Sequence, residues 1–301
     1  MDAETRARYE AWMFKRILRR VIIPGLLLFV LLIALIMGLR SCGSDDEAPE
    51  QTPEETVCTT EEDEACEEAL EPDDAESRPA SSRQPTYEDF DFTTYNEDTM
   101  IEIGSEYLNS YVILVNKAFR LPENYEPADL VVPNVLAVWG AENVLRMRES
   151  AARALEALFE AAYEDEGLEL WVVSGYRSFE DQVTRHQYFV DTHGTQAAET
   201  MSARPGHSEH QTGLAMDVAA ASVGALLTEE FSNAPEGVWL RENAHRFGFI
   251  IRYPYSRRNL TGIGYEPWHI RYVGVDAATH IFEHDLVLEQ YVFPVPRWEQ
   301  P

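Results

Sequence analysis

Basic residues are scarce in this chain: 24 Lys and Arg stand against 53 Asp and Glu, a formal net charge of −29 over 301 residues. Nucleic-acid binding needs a basic footprint, so that class is excluded. An acidic surface that keeps an exported protein soluble is sufficient to account for the charge. Cysteine is scarcer still. Cys42, Cys58 and Cys66 are the only three, and all precede the region that looks foldable. Thiolate ligation of a metal in that region is therefore disfavoured unless the early segment folds back. Outside the cytoplasm a Cys58–Cys66 disulfide is permissible and leaves Cys42 odd. No internal repeat is present, so the chain is not a repeat array.

Long apolar runs are limited to one, Val21 to Leu39. Nineteen residues at about 1.5 Å rise span roughly 29 Å, close to the hydrocarbon thickness of a bilayer. A buried core helix is the alternative, but an unbroken apolar run of this length without a polar stripe disfavours it. Arg6, Arg8, Lys15, Arg16, Arg19 and Arg20 precede the run, whereas Arg40 alone follows it before an acidic tract. The positive-inside rule then predicts a single-pass membrane protein with its N-terminus cytoplasmic and everything after Ser41 outside. An uncleaved signal anchor is preferred to a lipoprotein site at Leu39-Arg40-Ser41-Cys42, where the arginine fits poorly.

Four regions are expected: a basic cytoplasmic segment at 1–20, the anchor at 21–39, an acidic disordered linker at 40–99, and a folded domain at 100–301. Residues 41–76 carry sixteen acidic and no basic groups. Such a segment cannot bury enough apolar surface to offset its ordering entropy, and it reads as a tether from the membrane into the surrounding wall. The aromatics of Tyr87-Glu88-Asp89-Phe90-Asp91-Phe92 either dock on the domain or belong to the tether. Within the domain, Tyr107 to Ala118 reads as a helix or an extended segment. Ala151, Leu155, Leu158, Phe159 and Ala162 recur at helical spacing, with Gly167 as a stop. Leu168–Val173, Leu214–Ala220, Phe249–Tyr253 and Ile270–Val273 read as strands. Phe179–Val190 and Val238–Arg246 read as helices.

Two short segments carry the chemistry. The first runs Pro205-Gly206-His207-Ser208-Glu209-His210-Gln211-Thr212-Gly213-Leu214-Ala215-Met216-Asp217, and the second is Glu266-Pro267-Trp268-His269. His210, Asp217 and His269 offer three metal ligands, and Glu266 offers a base. Three protein ligands, one open position and a nearby carboxylate are what a hydrolytic zinc site needs. Gly213 permits a tight turn after which Asp217 emerges on one strand face, while Leu214, Met216 and Val218 face the core. Residues three apart on a regular strand face opposite ways, so Pro267 is expected to break the strand and bring Glu266 beside His269.

These segments, with Ser174-Gly175-Tyr176-Arg177-Ser178, Leu114-Val115-Asn116-Lys117 and Gly248-Phe249-Ile250-Ile251-Arg252-Tyr253-Pro254, resemble the VanY-type D-alanyl-D-alanine carboxypeptidases. The resemblance implies an α+β domain. A small antiparallel sheet with surrounding helices would carry one zinc per chain, as in the Hedgehog and lysostaphin-like group. It implies His210, Asp217 and His269 as zinc ligands, Glu266 as catalytic base, and Arg177 as the group that holds substrate and steadies an oxyanion. Ser208 and Gln182 fall where the family lines its peptide site. His207 is expected at the rim, and Trp268 behind the site.

The expected activity is removal of the C-terminal D-alanine from peptidoglycan stem peptides, with D,D or L,D specificity. The competing readings are a non-catalytic wall-peptide-binding module on the same fold and a cross-link endopeptidase.

Overall fold

The computed structural model describes residues 90–138 and 142–293. The anchor at 21–39, the acidic tract and the three cysteines lie outside the described residues. Among the described residues no helix is long and apolar enough to cross a membrane.

Among the described residues eight strands appear in chain order: β1 (Ile101–Glu102), β2 (Phe119–Arg120), β3 (Leu130–Val131), β4 (Met147–Arg148), β5 (Leu170–Ser174), β6 (Ala215–Ala220), β7 (Phe249–Tyr253) and β8 (Glu266–Tyr272). The first four form two-residue pairs, β1 with β2 and β3 with β4. The others make an antiparallel sheet in the order β5-β6-β8-β7. The mixed fold expected from sequence, with its small antiparallel sheet, is thus present.

The helix Glu149–Glu166 buries the expected stripe, Ala151, Leu155, Leu158, Phe159 and Ala162, and ends where Gly167 adopts the left-handed conformation. That stripe packs with Met216, Val218 and Ala220 of β6 and Ile270 of β8 in the main core. One face of the sheet therefore belongs to the hydrophobic core, which frees Asp217 and His269 on the other face for chemistry. Phe179–His193 is helical, opened by Ser178, whose hydroxyl accepts from the Asp181 amide. Pro235–Asn243 forms a further helix with its proline in the first turn, where the missing N–H costs nothing.

Two expectations need correction. Tyr107 to Ala118 is neither helix nor strand but a series of turns. Asn116 organises it, its side-chain oxygen accepting the amides of Ala118 and Phe119. The packed region also starts ahead of Met100. Phe90 and Phe92 stack among Phe119 and Phe293, and Phe92 is buried. Aromatic burial of this kind offsets the ordering of residues that composition alone assigns to the acidic linker.

Candidate metal centre

His210 lies in a single 3₁₀ turn, Glu209–Thr212. Gly213 follows with φ +65°, and a Cβ there would stand 2.7 Å from the Leu130 side chain. Only glycine accommodates both the left-handed backbone and that close approach. The reversal delivers the chain into β6, where Asp217 is paired directly with His269 of β8. Directly paired residues point to the same face of a sheet. His269 Nδ1 lies 2.9 Å from Asp217 Oδ1, and His210 Nε2 lies 3.4 Å from Asp217 Oδ2. One ligand atom from each of these three buried residues falls within 4.8 Å of the others.

The donor set fits a zinc ion. Ligands about 2.0–2.1 Å from zinc on tetrahedral corners stand about 3.3 Å from one another, and the two separations above straddle that value. His210 Nδ1 is 2.7 Å from the carbonyl oxygen of Gly175, so this nitrogen carries the proton and Nε2 presents its lone pair beside Asp217. Burial holds His210 down at about 4, the neutral form a metal requires. Burial alone would raise Asp217, but His210 and His269 beside it hold it well below the usual carboxylate range. For His269, burial opposes the charge, yet the hydrogen bond with Asp217 and the nearby Glu209 carboxylate push it up to about 9 in the absence of a metal.

Glu266 begins β8, and its Oε2 is 3.9 Å from His269 Nδ1. Burial pushes its carboxyl up to about 7, a range suited to proton transfer near neutrality. Arg177 comes from the loop after β5, whose pairing with β6 shifts register between Val172 and Ser174 and has its last pair at Ser174 and Asp217. Its backbone amide donates to the carbonyl oxygen of His210, 3.2 Å away. Its guanidinium donates to Gln182 Oε1 at 2.9 Å and Ser174 Oγ at 3.1 Å. Burial, then Arg185 nearby, brings it down to about 10, so it remains a cation at neutral pH.

A cavity of about 280 Å³ opens over this group and includes Arg177, Gln182, Ser208 and Glu266 in its wall. Ser208 is buried there. Gln182 spends its amide on the protein itself, donating to Ser202 Oγ and the carbonyl of Ala203 while accepting from Arg177. It thereby holds the arginine. His207 is buried rather than at the rim. Its Nδ1 meets the carbonyl of Asn116 at 2.7 Å, and it lines the same cavity without joining the ligand group. Trp268 is half-buried, touching the core and also forming part of the cavity wall.

Sequence reasoning missed two groups. Tyr95, from the stretch assigned to the linker, joins the cavity wall. Its hydroxyl accepts the amide of Arg204, and its ring meets His207 edge-on. Behind the ligands sit Glu209, Arg252, Arg271 and Glu289, four buried charges in mutual contact. The usable signal was charge on residues of strand segments that otherwise read as apolar, Arg252 and Arg271 above all.

A model of the VanY family, D-alanyl-D-alanine carboxypeptidase, matches residues 144–275. That interval contains Arg177, His210, Asp217, Glu266 and His269. A variant of the vancomycin-resistance D,D-pentapeptidase VanY, solved in complex with Zn(II), is 37% identical. The match covers 60% of this chain and 98% of that one, with a TM-score of 0.50. This chain belongs to the VanY family. The structure of the LdcB LD-carboxypeptidase is 44% identical, with a TM-score of 0.63, covering 67% of this chain and 93% of LdcB. YodJ of Bacillus subtilis (strain 168) is 48% identical over 179 residues, which make up 59% of this chain but only 65% of YodJ. The match thus spans less than two thirds of that relative's length.

Proposed function

We propose that this VanY-family protein is a zinc-dependent carboxypeptidase that releases the C-terminal D-alanine of peptidoglycan stem peptides. The observation that carries this reading is the convergence of His210, Asp217 and His269 in one buried cluster, with Glu266 and Arg177 in the same cavity. A binding module without catalysis would have no use for a buried carboxylate poised near neutrality beside a ligand set.

His210, Asp217 and His269 would hold the zinc, which when bound would supply Lewis-acid polarisation and acidify water to a pKa of about 7. Glu266 takes the proton of the attacking water and later passes it to the leaving amine of D-alanine. Arg177 is held from two sides, by Gln182 and Ser174, so its remaining N–H groups face the cavity at little entropic cost. There they donate to the oxygen on which charge develops. His210, Asp217 and His269 are buried and Arg177 and Glu266 half-buried, which strengthens their interactions by limiting the water that competes.

We also place the catalytic domain outside the membrane, held by residues 21–39. The basic residues before that run and the acidic tract after it support this orientation. A peptidoglycan substrate lies on that side.

A pair of otherwise identical stem peptides, one ending in a free carboxylate and one in an amide, tests the proposal. Cleavage confined to the free acid and abolished by a chelator is expected. Equal cleavage of both would replace the carboxypeptidase reading with an endopeptidase one.

A further inference from the structure

Among the buried polar atoms with no hydrogen-bond partner, besides Gln211 Oε1 and Arg271 Nη1, are Glu209 Oε2 and His269 Nε2. They face each other at 3.6 Å. An unsatisfied buried carboxylate oxygen is costly, and so is an unsatisfied imidazole nitrogen. Two such atoms turned toward each other mark one interaction rather than two defects.

The surroundings leave Glu209 no other role for that oxygen. Its Oε1 is taken by Arg252 Nε at 2.7 Å and lies 2.8 Å from Arg271 Nη1. Arg252 is itself gripped by Glu289 through two hydrogen bonds of 2.9 and 2.7 Å. Arg271 donates onward to the carbonyls of Tyr111 and Ile113. Asn116 adds a hydrogen bond to Glu289. The side chains of the two arginines and two glutamates all have zero exposure. Their charges balance, so the carboxylate is fixed in place by partners that cannot be exchanged for water.

We propose that Glu209 is a positioning residue for His269: its Oε2 accepts the His269 Nε2–H, which turns the Nδ1 lone pair toward Asp217 and the metal. The inference rests on the metal-centre reading above. Glu209 touches neither substrate nor metal and acts through His269 alone. At 3.6 Å the two atoms stand just outside hydrogen-bond distance, and the proposed hydrogen bond requires that they close this gap when the metal is bound. His210 is steered in the complementary sense, since its Nδ1 faces the Gly175 carbonyl and its Nε2 faces the centre. The two histidines therefore use different ring nitrogens, each set by the partner on the other nitrogen. The chain reaches further: Glu289 lies in the helix Leu288–Val292 near the end of the described chain. That helix thus supports the metal centre through Arg252 and Glu209.

The test uses the full chain with ¹⁵N-labelled histidine, titrated with zinc. In the zinc-loaded wild type, His269 should show a protonated Nε2 with a downfield, exchange-protected proton and a metal-shifted Nδ1. Glu209→Gln should move that proton upfield and weaken zinc affinity about 10- to 100-fold, read by competition with a chelator. That substitution leaves two buried arginines against one carboxylate and can unfold the protein. The charge-balanced pair Glu209→Gln with Arg271→Met therefore accompanies it, with the same expected loss. A wild type that binds zinc through His269 Nε2 overturns the inference while leaving the metal centre intact. So does a folded variant, single or double, with undiminished zinc affinity. A wild type that binds no zinc at these residues removes the metal centre itself.

Discussion

Glu266 and His269 are three residues apart on the same strand, yet Glu266 Oε2 lies 3.9 Å from His269 Nδ1. In a regular strand they would point to opposite faces. The register of β7 against β8 explains the exception. Ile251 pairs with Ile270, but Tyr253 pairs with Glu266, so β8 carries two extra residues between these pairs. The irregularity spans Pro267, which cannot donate to a ladder. Glu266 and His269 are thereby brought to one face by a local defect in the sheet.

That geometry makes Glu266 separable from metal binding. Glu266→Gln should retain zinc at the wild-type level and lose about 10²- to 10⁴-fold in kcat, the usual contribution of a positioned general base. Elemental analysis and steady-state kinetics on the same preparation check it. Full turnover in the zinc-loaded variant would remove Glu266 from the chemistry.

Metal binding should also be visible in stability. At zinc a hundredfold above its dissociation constant, the folded state gains about 2.7 kcal/mol. Thermal unfolding should therefore move to higher temperature on zinc addition and return with a chelator. His210→Ala should abolish the shift; an undiminished shift in that variant would exclude His210 as a ligand.

Arg177 and Gln182 should act as one unit. Arg177→Ala is expected to lower kcat/KM by about 10²- to 10³-fold, as for loss of one charged oxyanion donor. Gln182→Ala loosens the guanidinium and should lower it less. In the double variant the losses should fall short of their product, because Gln182 acts on catalysis through Arg177. A fully multiplicative loss would show that the two contribute independently.

His207 supplies a pH signature away from the ligands. Burial, more than the Asn116 carbonyl opposes it, lowers its pKa below the ordinary 6.5, and Arg204 and Arg120 act in the same direction. The unfolded chain then takes up a proton below 6.5 that the folded chain refuses. Stability from this group is complete above 6.5 and falls as pH drops toward the folded value. Urea unfolding at pH 7.5 and 5.5 should show a smaller acid loss in His207→Gln than in wild type. Equal losses would contradict the assignment.

Much of this candidate site was legible in the sequence because the residues that come together in it are local. His210, Gly213 and Asp217 occupy one turn and one strand, and Glu266 with His269 occupy another. Cross-strand pairing of Asp217 with His269 then needed only the sheet order. The helix over Glu149–Glu166 was equally readable, since its apolar stripe recurs at helical period. What stayed hidden depended on long-range burial. Glu209 sits between two clear motif residues and reads as solvent-facing until Arg252 and Arg271 are seen to enclose it. Tyr95 was masked by acidic neighbours and by the absence of any periodic pattern around it. Tyr107 to Ala118 has enough apolar residues to suggest an element, but the Asn116 side chain captures the backbone amides that a helix would have used.

D-alanine release from stem peptides tests the central claim most directly. The full-length, zinc-loaded chain would be incubated with muropeptide pentapeptide and, separately, tetrapeptide, and the products followed by mass spectrometry with and without chelator. The account predicts release of a single D-alanine from at least one of the two, abolished by the chelator and restored by zinc; which peptide is cut assigns D,D or L,D specificity. Intact pentapeptide and tetrapeptide after incubation with demonstrably zinc-loaded protein would contradict it.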